Sequence, residues 1–393
     1  MDEDARAKGT EHKSPLKLYA LVSHESAVDA IWWHAEHGWK DRLDDEGAWM
    51  VPAPQSCVKT QGDFKRLAHE VDLPALGITH DPLDLLVPDA SCFSRGKRAR
   101  FHVWKDFFPP RSFLRVHDRI FVSTPYFIVL QLAAAAPPTR LARARAEEAS
   151  RQDAVIRTEL GMDGRASTPA ELRRWDNIAR LVRAEQVLCD FAGTYRYVPG
   201  TDDVRYETKP LLSRSSFSTY LDEVDARKGA SRARRVAALA FDGAASPMET
   251  MLALMLTLPV ELGGFGLPRP QLNGEIPVDQ ELRELVSQEA IFADLLWRDA
   301  RLAVEYYGWE DHFGAGPQKV GKDAARANSL TSLGWTVLHV TYEQVRTLAG
   351  MTLLARQVAH VLEVELEEPS ELERVWRSRL LAFLLPEVGC AFA

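Results

Sequence analysis

Residues 290–308 read AIFADLLWRDARLAVEYYG. Two apolar runs, AIFADLLW and RLAVEYYG, flank the short polar turn RDA, a pattern that predicts a β-hairpin. Alternate residues of a strand share a face. Asp294 therefore shares its face with Phe292 and Leu296, and Glu305 shares its face with Ala303 and Tyr307. Paired through RDA, the strands bring both carboxylates near the open end of one hairpin, pointing the same way. A strand that only filled a core would not need this charge, so Glu305 either holds a metal or caps an edge. Mg²⁺ commonly takes one or two carboxylates, waters and a substrate phosphate, and two acids on adjacent strands supply that.

The surrounding sequence extends the pattern. SPMETMLALMLTL (246–258) opens with the start signature of a helix: Ser246 as cap, Pro247 at the first helical position and Glu249 three residues after the serine. A Gly/Pro-rich turn, GGFGLPRPQLNGEIP (263–277), leaves room for one more strand before the hairpin. Beyond it the sequence predicts a helix from about Lys319 to Leu333 and a strand, GWTVLHVTY (334–342). Lys319, Lys322 and Arg326 recur at i, i+3 and i+7, so they share a helical face that is either solvated or available to a phosphate. His312 lies just past the hairpin, as a surface residue or a proton shuttle to a leaving group. His339, inside the last strand, reads as a core histidine.

Composition bounds the possibilities. The chain has 393 residues, 46% hydrophobic, with a formal net charge of −8, which suits a folded protein of two or three domains and argues against a whole-surface nucleic-acid binder. Any contact with DNA must be local. Two basic clusters, RGKRAR (95–100) and RKGASRARR (227–235), could supply one, although each also reads as a solvated face balanced by neighbouring acids. The four cysteines lie far apart without a CxxC pair, which argues against structural zinc or a disulfide framework and fits a reducing cytoplasm. The charged N-terminus has no apolar core, so neither a signal nor a transit peptide is expected. The apolar runs FIVLQLAAAA (127–136) and MLALMLTL (251–258) fall well short of the roughly 20 residues of a membrane helix.

Four segments carry a resemblance: S-P-M-E, then D-L-L-W, then A-V-E-Y-Y-G, then K-D-A-A-R-A-N-S-L-T-S-L-G-W-T-V. Together they resemble the PD-(D/E)xK nuclease superfamily, specifically bacterial domains similar to very-short-patch-repair endonucleases, over about a quarter of the chain. The resemblance implies that Asp294 and Glu305 ligate Mg²⁺ (or Mn²⁺) with the backbone carbonyl of Tyr306. It also implies that Glu249 is an accessory acid, which its place as partner of the Ser246 cap explains equally well. Arg326 matches an arginine of the pattern and would meet the scissile phosphate. Position 307 departs from it: Tyr307 stands where the superfamily has Lys and the subfamily commonly has Asp, so one expected group is missing. PLDLLVPDASCFSRGKRARFHVWKDFFPPRSFLRVHDRIFVSTPYFIVLQLA (82–133) resembles the C-terminal region of AbiEi-type abortive-infection antitoxins.

These readings give an α/β fold: a restriction-endonuclease-like core of helix, mixed sheet and helix at 241–345, a mixed α/β antitoxin-like module at 1–140, a mainly helical connector at 141–240, and C-terminal helices at 346–393 packing on the core. The implied function is a metal-dependent, cytoplasmic DNA endonuclease of bacterial defence or a toxin–antitoxin setting, with DNA and a toxin or other protein as partners and no membrane. The alternative is an impaired nuclease fold that binds DNA or a partner as an antitoxin-like regulator.

Overall fold

The computed structural model describes residues 18–38, 57–89, 97–105, 108–135, 143–201, 203–224, 229–276, 290–307 and 328–386. The chain divides into two compact units, Met1–Thr124 and Pro125–Ala393.

The first unit is built on a five-stranded sheet of order β3-β2-β1-β5-β4. Its strands are β1 (Ala20–Val22), β2 (Leu83–Val87), β3 (Ala99–Val103), β4 (Phe113–His117) and β5 (Ile120–Ser123). β1 runs parallel to β5 and antiparallel to β2, while β3 runs parallel to β2 and forms one edge. Helix α1 (His24–Glu36) packs on β2 and β5 through Ala27, Ala30 and Ile31. Helix α2 (Gln61–Glu70) starts on a reciprocal cap in which Thr60 accepts from the Asp63 N–H and Asp63 accepts from the Thr60 N–H. The Cys57 thiol is buried here and donates to the Val58 and Leu86 carbonyls at 3.5 and 3.7 Å.

The second unit opens with α3 (Pro125–Ala134), an apolar helix that packs on α5 (Pro169–Ala192) and α7 (Ala230–Leu239). The sequence groups α3 with the first module; its contacts belong to the second unit. Between these helices lie α4 (Arg143–Glu159), a small hairpin of β6 (Arg196–Tyr197) and β7 (Val204–Arg205), and α6 (Arg214–Val224). Cys189, on α5, is a buried thiol that accepts the Phe241 N–H at 3.1 Å, and burial drives its pKa far up.

The basic cluster at 227–235 is structural among its described residues. Arg232 donates to the carbonyls of Ala133 and Ala135 at the end of α3, both at 3.1 Å. Arg234 donates to the Leu221 carbonyl at 3.2 Å, and Arg235 pairs with Glu261. Cationic donors on terminal carbonyls satisfy groups that the helix itself leaves open.

All eleven residues of α8 (Pro247–Thr257) are buried. Truncating Leu252, Leu254 or Leu256 to Ala would cost about 2–5 kcal/mol. A four-stranded sheet of order β11-β10-β9-β8 follows. β8 (Gln271–Ile276), β9 (Ile291–Trp297) and β10 (Leu302–Tyr307) are antiparallel neighbours, and β11 (Thr336–Thr341) lies parallel to β10. The expected hairpin is therefore present, and the extra strand lies inside the Gly/Pro-rich stretch.

Residues 328–332 are helical, and Gly334 at φ +76 ends that turn while the Trp335 N–H returns to the Leu330 carbonyl at 3.0 Å. Leu330 and Trp335 then join the core of Ile276, Ile291, Ala293, Leu296 and Ala303. The C-terminal helices are α9 (Tyr342–Val345), α10 (Leu348–Val361) and α11 (Glu371–Leu384). α11 starts on a Ser370–Glu373 capping box and packs against α4, α5 and α8. No helix among the described residues is long and apolar enough to cross a membrane.

Candidate active site

Glu249 is positioned by the start of α8. Ser246 is extended at φ −148, and its hydroxyl accepts the Glu249 N–H at 3.2 Å. The Glu249 carboxylate accepts from the Ser246 hydroxyl at 3.0 Å, the Ala245 N–H at 2.7 Å and the Asn273 amide at 2.6 Å. Both of its oxygens are engaged, so the capping role foreseen for Glu249 is present, with the reciprocal backbone bond landing on Ala245.

Its electrostatics go beyond a cap. Glu249 is 6% exposed. Burial pushes its pKa up first and the charge of Asp294 pushes it further, while the three donors offset part of this, leaving it at about 8. Burial and Asp294 thus both favour the neutral form of Glu249.

Asn273 is the connecting residue. It sits on β8 at φ +46, a conformation that asparagine tolerates better than most residues. One amide proton goes to Glu249 and the other to the Gly243 carbonyl, at 2.8 Å. Leu272 pairs with Leu295 and Gly274 with Ala293, so Asn273 lies opposite Asp294. The Asn-Gly dipeptide is ordinarily a turn signal, which is why the sequence reading passed over it.

Asp294 and Glu305 lie one step beyond the paired residues of the hairpin. Leu296 pairs with Ala303 and Leu295 with Val304; one step further, that register brings Asp294 opposite Glu305, on the face they share with Leu296 and Ala303. Asp294 Oδ2 accepts the Tyr306 N–H at 2.7 Å. Tyr306 therefore reaches Asp294 through its N–H. Glu305 is 7% exposed and lies beside His339 of β11.

His339 differs from expectation. It is exposed, because β11 is an edge strand, and its ring meets the edge of Tyr307 at 4.9 Å. His312, Lys319, Lys322 and Arg326 lie outside the described residues. Among the described residues no group of three or more His, Cys, Asp or Glu is arranged to hold a metal ion.

No family model matches the chain, and no solved structure matches it. The chain is similar to two uncharacterised proteins of Mycobacterium tuberculosis, one from strain CDC 1551 / Oshkosh and one from strain ATCC 25618 / H37Rv. Each is 32% identical over 149 residues, 38% of this chain and 49% of the relative. The chain thus spans about half the length of the curated relatives it matches, and the likeness carries no activity with it.

Proposed function

We propose that the second unit is a metal-dependent, endonuclease-like phosphodiester hydrolase acting on DNA. The observation that carries this reading is the row across the sheet, in which Asn273, Asp294 and Glu305 occupy neighbouring positions on β8, β9 and β10 beside the buried Glu249. Asp294 and Glu305 fit the sparse carboxylate set used by Mg²⁺ or Mn²⁺. Glu249 does not fit as a third ligand, since protein donors occupy both of its oxygens.

A divalent cation bound there would supply a water of lowered pKa and offset charge developing on a phosphate. Around it, Asn273 holds Glu249 in place, and Asp294 ties β9 to β10 through Tyr306. The setting, bacterial defence with an antitoxin-like first unit, rests on the resemblance of residues 82–133.

One observation favours a second reading. Asp294 and Glu249 already spend oxygens on protein donors, as an impaired nuclease fold retained as a regulator that binds DNA or a partner would. Incubation with supercoiled plasmid and single-stranded DNA in Mg²⁺, Mn²⁺ or EDTA, beside Asp294→Ala and Glu305→Ala, separates the two. Metal-dependent nicking lost in both variants supports the hydrolase; DNA binding without cleavage, indifferent to metal and to Asp294→Ala, supports the regulator.

A further inference from the structure

The first unit carries a polar cluster that the hydrolase reading does not use. Asp84, on β2, is 1% exposed. Its Oδ2 accepts from the Ser26 hydroxyl at 3.3 Å, its own N–H donates to that hydroxyl at 2.8 Å, and its Oδ1 lies 2.8 Å from His102 Nε2. Arg100 Nε stands 3.6 Å from the same Oδ1. The His24 ring stacks on His102 with centroids 3.8 Å apart and planes 21° from parallel.

Burial pushes the Asp84 carboxyl up, but the bond and charge of His102, with Arg100 and His24, outweigh it and hold the group below its ordinary range. An ionised Asp84 requires the proton of His102 on Nε2, leaving Nδ1 as the ring nitrogen turned from the carboxylate. Asp84 therefore fixes the orientation of an imidazole that is 32% exposed.

The placement matters as much as the pairing. β3 is an edge strand, and Arg100 and His102 alternate on the face they share with Asp84, with exposed Arg98 two residues earlier. Arg98, Arg100, His102 and His24 thus form a row in which one acid, Asp84, is buried and already committed. Glu25, in the first turn of α1, is an acid next to His24 in the chain. A row along a strand suits a polymer of phosphates better than one compact anion, because successive phosphates meet successive side chains.

We propose that Arg98, Arg100, His102 and His24 form a phosphate-contacting surface for single-stranded nucleic acid on the first unit, with Asp84 as its buried anchor. The proposal is independent of cleavage by the second unit. Its test is fluorescence anisotropy of a labelled dT20 oligonucleotide with the full chain in EDTA, across a salt series, with inorganic phosphate as competitor. Arg100→Ala and His102→Gln are set against Arg115→Ala, a half-exposed arginine on β4 at the opposite edge of the sheet. Arg100→Ala should weaken dT20 binding roughly fivefold or more at low salt and reduce the slope of log K against log salt by about 0.7. His102→Gln should weaken it to a smaller degree, and Arg115→Ala should leave it unchanged. Absence of dT20 binding at 50 mM salt, binding of phosphate without dT20, or equal losses in Arg115→Ala and Arg100→Ala would each overturn the proposal.

Discussion

Asp84 in the first unit and Glu249 in the second are both nearly inaccessible carboxyls, yet they titrate in opposite directions. Asp84 faces His102, Arg100 and His24 and stays ionised; Glu249 faces Asp294 and keeps its proton to about pH 8. Burial penalises the charged form in both cases. The neighbours decide the outcome: cationic partners overcome desolvation at Asp84, whereas a second acid adds to it at Glu249.

The largest expected effect breaks the first half of this comparison. Asp84→Ala removes the acceptor shared by Ser26 and His102 and leaves the buried Ser26 hydroxyl and the part-buried His102 without it, so urea denaturation should show a loss of about 2–4 kcal/mol. Loss below 1 kcal/mol would mean the cluster is solvated in solution. Acid unfolding gives the matching sign. A depressed folded pKa contributes stability that is present above the unfolded value, near 3.8, and is lost as pH falls through the folded value.

Glu249 should show the reverse. Its folded pKa lies above the unfolded value near 4.5, so the unfolded chain loses this proton first and stability falls as pH rises from about 4.5 to about 8. Glu249→Gln keeps the shape and removes the titration. Its stability relative to the parent should be unchanged below pH 4.5 and should rise across that window by a few kcal/mol at most. Parallel pH profiles for parent and variant would mean that neither burial nor Asp294 raises the Glu249 pKa in the folded protein.

Asn273 sharpens the same comparison on a smaller scale. Asn273→Ala loses two hydrogen bonds and retains φ +46, for a cost of about 1–2 kcal/mol in thermal denaturation. Asn273→Gly should cost less, since glycine accepts that backbone. The smallest effect concerns the basic cluster at 227–235. Arg235→Ala, which breaks an exposed pair with Glu261, should change stability by under about 0.5 kcal/mol, and Arg232→Ala should cost more because two α3 carbonyls lose their donor.

What was legible in the sequence follows from how local its physical cause is. The β9–β10 hairpin was readable because both strands and their turn are contiguous, and the α8 start because its cap lies within four residues. β1 was not, since three residues become a strand only between β2 and β5. β8 was hidden by Asn273-Gly274, a turn signal that here occupies the interior of a strand. His339 read as core because its strand is apolar, and only the sheet order shows that strand to be an edge.

The site divides in the same way. Asp294 and Glu305 could be paired from period-two spacing alone. Their link to Glu249 runs through Asn273, 24 residues from Glu249, and the bonds of Asp84 to Ser26 and His102 span 58 and 18 residues. No spacing rule encodes separations of that kind.

The two buried thiols also make the halves of this chain separately observable. Cys57 belongs to the first unit and Cys189 to the second, and each is shielded in the folded protein. With Cys92 and Cys390 replaced by serine, alkylation at each remaining thiol is limited by how often its own surroundings open. One chain thereby carries two built-in clocks, able to record whether its halves open together or in turn.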